Sequence, residues 1–247
     1  MICFPHAGGS PFAFRGWGNG IDDCEVYTVC YPGRADRIAE APPQDLRALA
    51  GEIAEEIRSS ADDRPTAFFG HSMGAAVAFE TALALGRDTI GLSHFFASAA
   101  RAPHLMVPAA DPRRRWDDAS VRAAILALGG TDAGLLDDPV FAEVMMPYIK
   151  ADFRMLAAYA GGEPALLDCP VTVLVGEDDP RFTADQAAHW GVTSRAGFAV
   201  HTVPGGHFYL ADAPPFGVIT RSWGSGGATG PGTSLSAGRP DPATGCG

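Results

Sequence analysis

The sequence predicts an α/β protein with a mostly parallel sheet, and two observations carry that expectation. Short apolar runs alternate along the chain with segments whose apolar residues recur every three or four positions, the rhythm of strands joined by crossover helices. Several of these runs end directly in glycine-containing turns, and open α/β sheets bind ligands at the carboxyl ends of their strands.

The strand candidates, in order, are Ile2 to Phe4, Glu25 to Cys30, Thr66 to Phe69, Leu92 to Ala97, Val171 to Val175 and Phe198 to Val203. Between the second and third, Leu46, Leu49, Ala50, Ile53, Ala54 and Ile57 share one helical face that should cover the sheet. After the third, Ala75, Val77, Ala78, Phe79, Ala82 and Leu83 mark another helix-period stretch. Between about His104 and Pro164 the alternation is interrupted by two helical patterns, one through Val121, Ile125 and Leu128, the other through Phe141, Val144, Met145, Tyr148 and Ile149. Pro147 is expected to kink or split the second. Helices inserted here read as a lid over the strand ends, with an ordinary decorated crossover as the alternative. Residues 224–247 carry one leucine as their only large apolar side chain. Such a segment cannot offset its ordering entropy by burial, so a disordered tail is expected after a single domain spanning 1–223.

Apolar residues make up 47% of the 247 and charged residues 19%, which excludes a chain too polar to fold. The net charge of −11, from 18 basic and 29 acidic side chains, argues against nucleic acid or an anionic membrane as partner. The five cysteines (Cys3, Cys24, Cys30, Cys169, Cys246) form no CxxC pair, so neither a metal site nor a disulfide framework is expected, and no cofactor is called for. No apolar run is long enough to span a bilayer, and Met1 to Gly9 lacks the basic start and long apolar stretch of a signal peptide; a cytoplasmic monomer is the expectation.

Three glycine-flanked turns carry the chemistry. Gly70-His71-Ser72-Met73-Gly74 stands between an apolar run and a helix, a context that thrusts a serine hydroxyl out of the sheet, with glycines where a side chain would strike neighbouring backbone. The spacing alone is weak; the strand-turn-helix context gives it force. Gly176-Glu177-Asp178-Asp179-Pro180 follows the fifth strand and offers a carboxylate to orient an imidazole. Asp178 and Asp179 compete for that role, and Asp179 is favoured. Gly205-Gly206-His207-Phe208 follows the sixth strand, and His207 has the near-neutral pKa suited to moving the serine proton. His71 reads as a packing or hydrogen-bonding neighbour, and His94, His104, His189 and His201 as structural or surface residues. An acyl-transfer site also needs oxyanion donors: the Met73 amide at the helix start, and an amide in Pro5-His6-Ala7-Gly8-Gly9, with Ala7 the first choice.

Taken together with these turns, Cys3-Phe4-Pro5-His6-Ala7-Gly8-Gly9-Ser10, Tyr31-Pro32-Gly33-Arg34, Leu128-Gly129-Gly130-Thr131, Ala151-Asp152-Phe153 and Gly206-His207-Phe208-Tyr209-Leu210 resemble the type II thioesterases that accompany polyketide synthases and nonribosomal peptide synthetases. The likeness runs in order from Ile2 to Leu210. It implies an α/β-hydrolase fold with a helical lid about 104–164, and hydrolysis of stalled acyl groups from the phosphopantetheine arm of acyl or peptidyl carrier proteins. It also implies Ser72, Asp179 and His207 as triad, with Met73 and Ala7 amides as oxyanion donors. The family usually carries a further segment before the Cys3 strand, and a longer closing helix than Pro214 to Trp223.

Met106, Met145, Met146 and Phe153 are candidates for an adaptable acyl channel, with plain core as the alternative. A carrier, itself usually acidic, would need a basic landing on this acidic protein; Arg113, Arg114 and Arg115 are candidates, as are Arg34 and Arg37. The rival expectations are an acyltransferase or chain-releasing enzyme with the same triad, a general esterase or lipase, and a non-catalytic binding scaffold.

Overall fold

The computed structural model describes residues 1–60, 62, 64–86, 91–111, 116–129 and 133–224. Six strands form one sheet: β1 (Ile2–Phe4), β2 (Tyr27–Thr28), β3 (Thr66–His71), β4 (Leu92–Ser98), β5 (Val171–Gly176) and β6 (Phe198–Val203), in the order β2-β1-β3-β4-β5-β6. Every neighbouring pair is parallel, so all carboxyl ends open on one side, as the alternating sequence predicts. The second strand is far shorter than Glu25 to Cys30. It lies at the edge and pairs only with the three-residue β1, in the register Ile2↔Tyr27 and Cys3↔Thr28, which limits how many residues can join the ladder.

Successive strand residues point to opposite faces, and both faces are covered. Phe68, Phe95, Ala97, Val171, Val173 and Val175 face a core shared with α1 (Leu46–Ser60) and α2 (Met73–Leu85). Ala67, Phe69, Phe96 and Leu174 face the other way, against Phe14, Trp17 and Ile219. Helix α1 buries Leu46, Leu49, Ala50, Ile53 and Ala54, the apolar face read from its spacing. Helix α2 packs against both α1 and the strands and is buried on nearly every side, which is why its sequence is apolar throughout.

Between β4 and β5 come α3 (Asp118–Leu128), α4 (Ala133–Asp137) and α5 (Pro139–Ala158). These helices build a small core of their own from Val121, Ala124, Ile125, Leu136, Met146, Tyr148, Ile149 and Phe153, with Ala7 of the loop after β1 packed against it. Pro147 does not split α5. The helix is fixed at its start by Asp138, whose Oδ1 accepts from the Val140 and Phe141 amides at 2.8 and 2.9 Å, and beyond Pro147 by burial of Tyr148, Ile149, Asp152 and Phe153; packing at both ends overrides the local penalty. Beyond β5 lie α6 (Ala184–Ala187) and, as the expected short closing helix, α7 (Phe216–Trp223). Residues 225–247, expected as a tail, lie outside the described residues. Among the described residues no helix is long and apolar enough to cross a membrane.

Candidate active site

Ser72 joins the end of β3 to the first residue of α2. Its backbone stands at φ 54° and ψ −119°, a conformation that side-chain-bearing residues rarely adopt. Hydrogen bonds hold it there: the Ser72 amide donates to the Ser98 carbonyl at 2.8 Å, and the Ala75 amide donates to the Ser72 carbonyl at 3.1 Å. The flanking glycines are required by space. A Cβ on Gly70 would lie 2.4 Å from the Ala75 Cα, and one on Gly74 2.0 Å from the Phe4 carbonyl oxygen. The start of α2 is thereby pressed onto the end of β1, next to the loop Pro5 to Gly9.

His207 reaches Ser72 from the turn after β6. Its Nε2 lies 3.0 Å from Ser72 Oγ and its Nδ1 2.8 Å from Asp179 Oδ2. A carboxylate only accepts, so Nδ1 carries the proton and donates to Asp179; in the neutral ring Nε2 then accepts from the serine hydroxyl. The other Asp179 oxygen, Oδ1, accepts from the Arg181 amide at 2.9 Å. Asp179 and His207 are buried and Ser72 is half-buried. Of the two competing aspartates it is Asp179 that meets the imidazole; Asp178 is exposed, and its amide donates to the Gly205 carbonyl. That bond and the one from the Glu177 amide to Val203 lace the turn after β5 to the turn after β6. The approach is so close that a Cβ on Gly176 would sit 2.4 Å from the Gly206 oxygen.

Two further imidazoles stand near His207. His71 Nδ1 is 2.7 Å from Ser98 Oγ, which is 2.6 Å from the Tyr209 hydroxyl, so His71 is a buried hydrogen-bonding neighbour. Burial pushes its pKa well down, and the nearby His207 and His6 add to that. His6, its ring 5.8 Å from that of His71, is pushed down to about 4, again by burial first and then by His207. Both rings are therefore neutral at pH 7.

The proposed oxyanion donors lie in the first turn of α2 and in the loop after β1. The Met73 amide is first in α2 and has no partner inside the helix. In the loop after β1, the Gly8 amide donates to Asp152 Oδ2 at 2.8 Å and the Gly9 amide to the His6 carbonyl at 2.8 Å, while among the described residues the Ala7 amide donates to nothing.

The remaining candidates are placed less simply. Met145, Met146 and Phe153 gather in the small core of the inserted helices, whereas Met106 packs against the main core. Arg113, Arg114 and Arg115 lie outside the described residues. Arg34 is no surface cation: it is 1% exposed, and its guanidinium grips both Asp152 oxygens at 2.7 Å. Its place among apolar side chains, against the rings of Tyr31 and Tyr148, leaves no route to a partner. Arg37 is partly exposed and pairs with Glu40. A large open groove of about 2280 Å³ runs beside β2 and α1 past Met1, Cys24 and Trp223, and none of Ser72, Asp179 and His207 lines it. Sequence reasoning missed Gly176 as a spacer and the Arg34–Asp152 pair. The signal for the latter was present: Asp152 falls on the same helical face as Ile149 and Phe153, where a charge must find a buried partner.

A family model described as "Thioesterase domain" matches residues 1–219. The "Probable cadicidin biosynthesis thioesterase" of Streptomyces griseus is 39% identical over 211 residues, which are 85% of this chain; the chain spans only 58% of that relative's length. Among solved structures, the RedJ thioesterase from the prodiginine pathway of Streptomyces coelicolor is 33% identical with a TM-score of 0.79, covering 91% of this chain and 88% of that one. YbtT, a type II thioesterase from the yersiniabactin pathway, is 30% identical with a TM-score of 0.80, covering 90% of this chain and 92% of that one.

Proposed function

Since the chain belongs to the thioesterase domain family, we propose that it hydrolyses acyl thioesters, releasing stalled acyl groups from the phosphopantetheine arm of acyl or peptidyl carrier proteins in the cytoplasm. The observation that carries this reading is the continuous hydrogen-bonded series Asp179, His207, Ser72 at the open ends of β5, β6 and β3.

In the proposed cycle Ser72 Oγ attacks the thioester carbonyl while His207 Nε2 takes its proton, and Asp179 holds the imidazole in that tautomer and stabilises the imidazolium. The carbonyl oxygen becomes an oxyanion that accepts from the Met73 and Ala7 amides; such a donor is typically worth about 10²–10³ in rate. Collapse breaks the carbon–sulfur bond, and the departing sulfur takes the imidazolium proton and leaves as the thiol, which returns His207 to its neutral form. Water then attacks the acyl-serine, His207 takes its proton, and the acid departs as Ser72 recovers its hydrogen. The neutral state of His6 and His71 spares the transient imidazolium two like charges. Met106, Met145, Met146 and Phe153 are the apolar side chains proposed to adapt to the acyl chain beneath a lid formed by α3 to α5. Arg113, Arg114 and Arg115 are proposed to receive the acidic carrier.

The test is a panel of carrier proteins loaded with short, branched and long acyl groups, with release followed by mass. Loss of the acyl mass is expected with the native chain and not with Ser72→Ala. Intact acyl carriers across the panel, with native protein that still takes a fluorophosphonate at Ser72, would overturn the substrate class while leaving a serine hydrolase of another kind.

A further inference from the structure

Tyr31-Pro32-Gly33-Arg34 and Ala151-Asp152-Phe153 have no part in the proposed cycle, yet they meet in a fully buried ion pair. Arg34 and Asp152 are 1% and 0% exposed, and the guanidinium holds the carboxylate with two bonds of 2.7 Å. A buried pair is a poor device for stability, because desolvation of both ions cancels much of their attraction. Its remaining bonds all run to one place. Asp152 Oδ2 accepts from the Gly8 amide at 2.8 Å, and Arg34 Nη1 donates to the Gly9 carbonyl at 3.0 Å. Tyr31, three residues before Arg34, donates its hydroxyl to the Pro5 carbonyl at 3.1 Å. The loop is thus tied on both sides of Ala7. Gly8, at φ +77°, lies flat against α5: a Cβ there would come within 2.9 Å of Ile149 Cγ1.

We propose that Arg34 and Asp152 are positioning residues which, through Gly8 and Gly9, hold the Ala7 amide aimed at the carbonyl oxygen of the substrate. Asp152 belongs to α5, so the second oxyanion donor is set by the inserted helices as well as by the sheet, and the loop after β1 cannot take its working shape unless α5 is seated. This inference rests on the thioesterase reading above.

Asp152→Asn keeps the shape and loses the charge. With a soluble acyl-pantetheine thioester, kcat is expected to fall about 10²-fold, as for loss of one oxyanion donor, while KM stays within about threefold. The pH midpoint of kcat should not move, since Asp179 and His207 are untouched. Inhibition by a trifluoromethyl ketone analogue, which forms a tetrahedral adduct at Ser72, should weaken by the same factor as kcat. The double variant Arg34→Met/Asp152→Leu separates positioning from simple stability: replacing both ions by apolar groups preserves folding, but leaves Gly8 and Gly9 without their partners, so kcat should stay low. Arg34→Lys keeps a cation in the pocket but cannot span Asp152 and Gly9 together, and serves if the other variants do not fold. Native kcat in any folded variant, or a loss expressed in KM, overturns the proposal. If the native chain cleaves no thioester, the functional reading itself falls; if the native chain cleaves and Asp152→Asn equals it, only this inference does.

Discussion

At Ser72 the usual ranking of alanine over glycine should invert. Alanine normally favours the folded state, but a Cβ at φ 54° is strained and glycine is not. Both substitutions remove the hydroxyl, so both should be inactive, yet Ser72→Gly is expected to be more stable than Ser72→Ala by about 1 kcal/mol, read from thermal or urea midpoints. The two neighbouring aspartates should separate as sharply. Asp179→Asn leaves the imidazole in the wrong tautomer and is expected to lower kcat by about 10⁴, while Asp178→Asn, exposed and bound only through its amide, should stay within about threefold. Ser72, Asp179 and His207 could be picked out from the chain because each sits in a glycine-marked turn after an apolar run. The burial of Arg34 could not: Arg37 stands only three residues on, and the partner that draws Arg34 inward lies 118 residues downstream. An arginine's burial is decided by the fold around it, so the same residue read as a surface cation turned out to be an internal one.

At the scale of elements, the turns after β5 and β6 work as one piece. Gly176→Ala would drive a methyl into the Gly206 carbonyl and part the turn bearing Asp179 from the one bearing His207. The expected result is a loss of roughly 1–3 kcal/mol of stability together with a fall in kcat larger than that of Asp178→Asn, checked by urea unfolding and steady-state kinetics on the same sample. Removing the cap of α5 is milder: Asp138→Ala frees the Val140 and Phe141 amides and should cost about 1 kcal/mol. Helix α1 was legible because its apolar spacing is regular and one face meets the sheet. The limits of β2 were not, since an edge strand's length depends on its three-residue neighbour rather than on its own valines. Pro147 leaves α5 unsplit for a related reason, as local propensity yields to the packing on either side.

For the whole molecule, acidity should be the sensitive variable. His6 and His94 are both held near pKa 4 against an ordinary 6.5, chiefly by burial, and His71 is lowered too. The unfolded chain therefore binds these protons first: their contribution is complete above about pH 6.5 and is lost as the pH falls toward 4. His94, stacked on Phe96 at 4.3 Å and 2.9 Å from Thr172, lies far along the sheet from Ser72 and isolates the effect. Urea midpoints should drop between pH 7 and 4.5, with a smaller drop in His94→Asn, the difference being on the order of 2 kcal/mol. The alternating pattern announced the parallel sheet and the helices inserted before β5. It did not announce that those helices own a separate core, because membership of a core is a matter of contacts between distant segments. The separation of 135 residues between Ser72 and His207 has a final consequence. A nascent chain still lacking β6 and the turn beyond it has no base to awaken the hydroxyl, so under the proposed cycle the growing polypeptide stays inert toward thioesters until His207 has been made and seated beside Ser72.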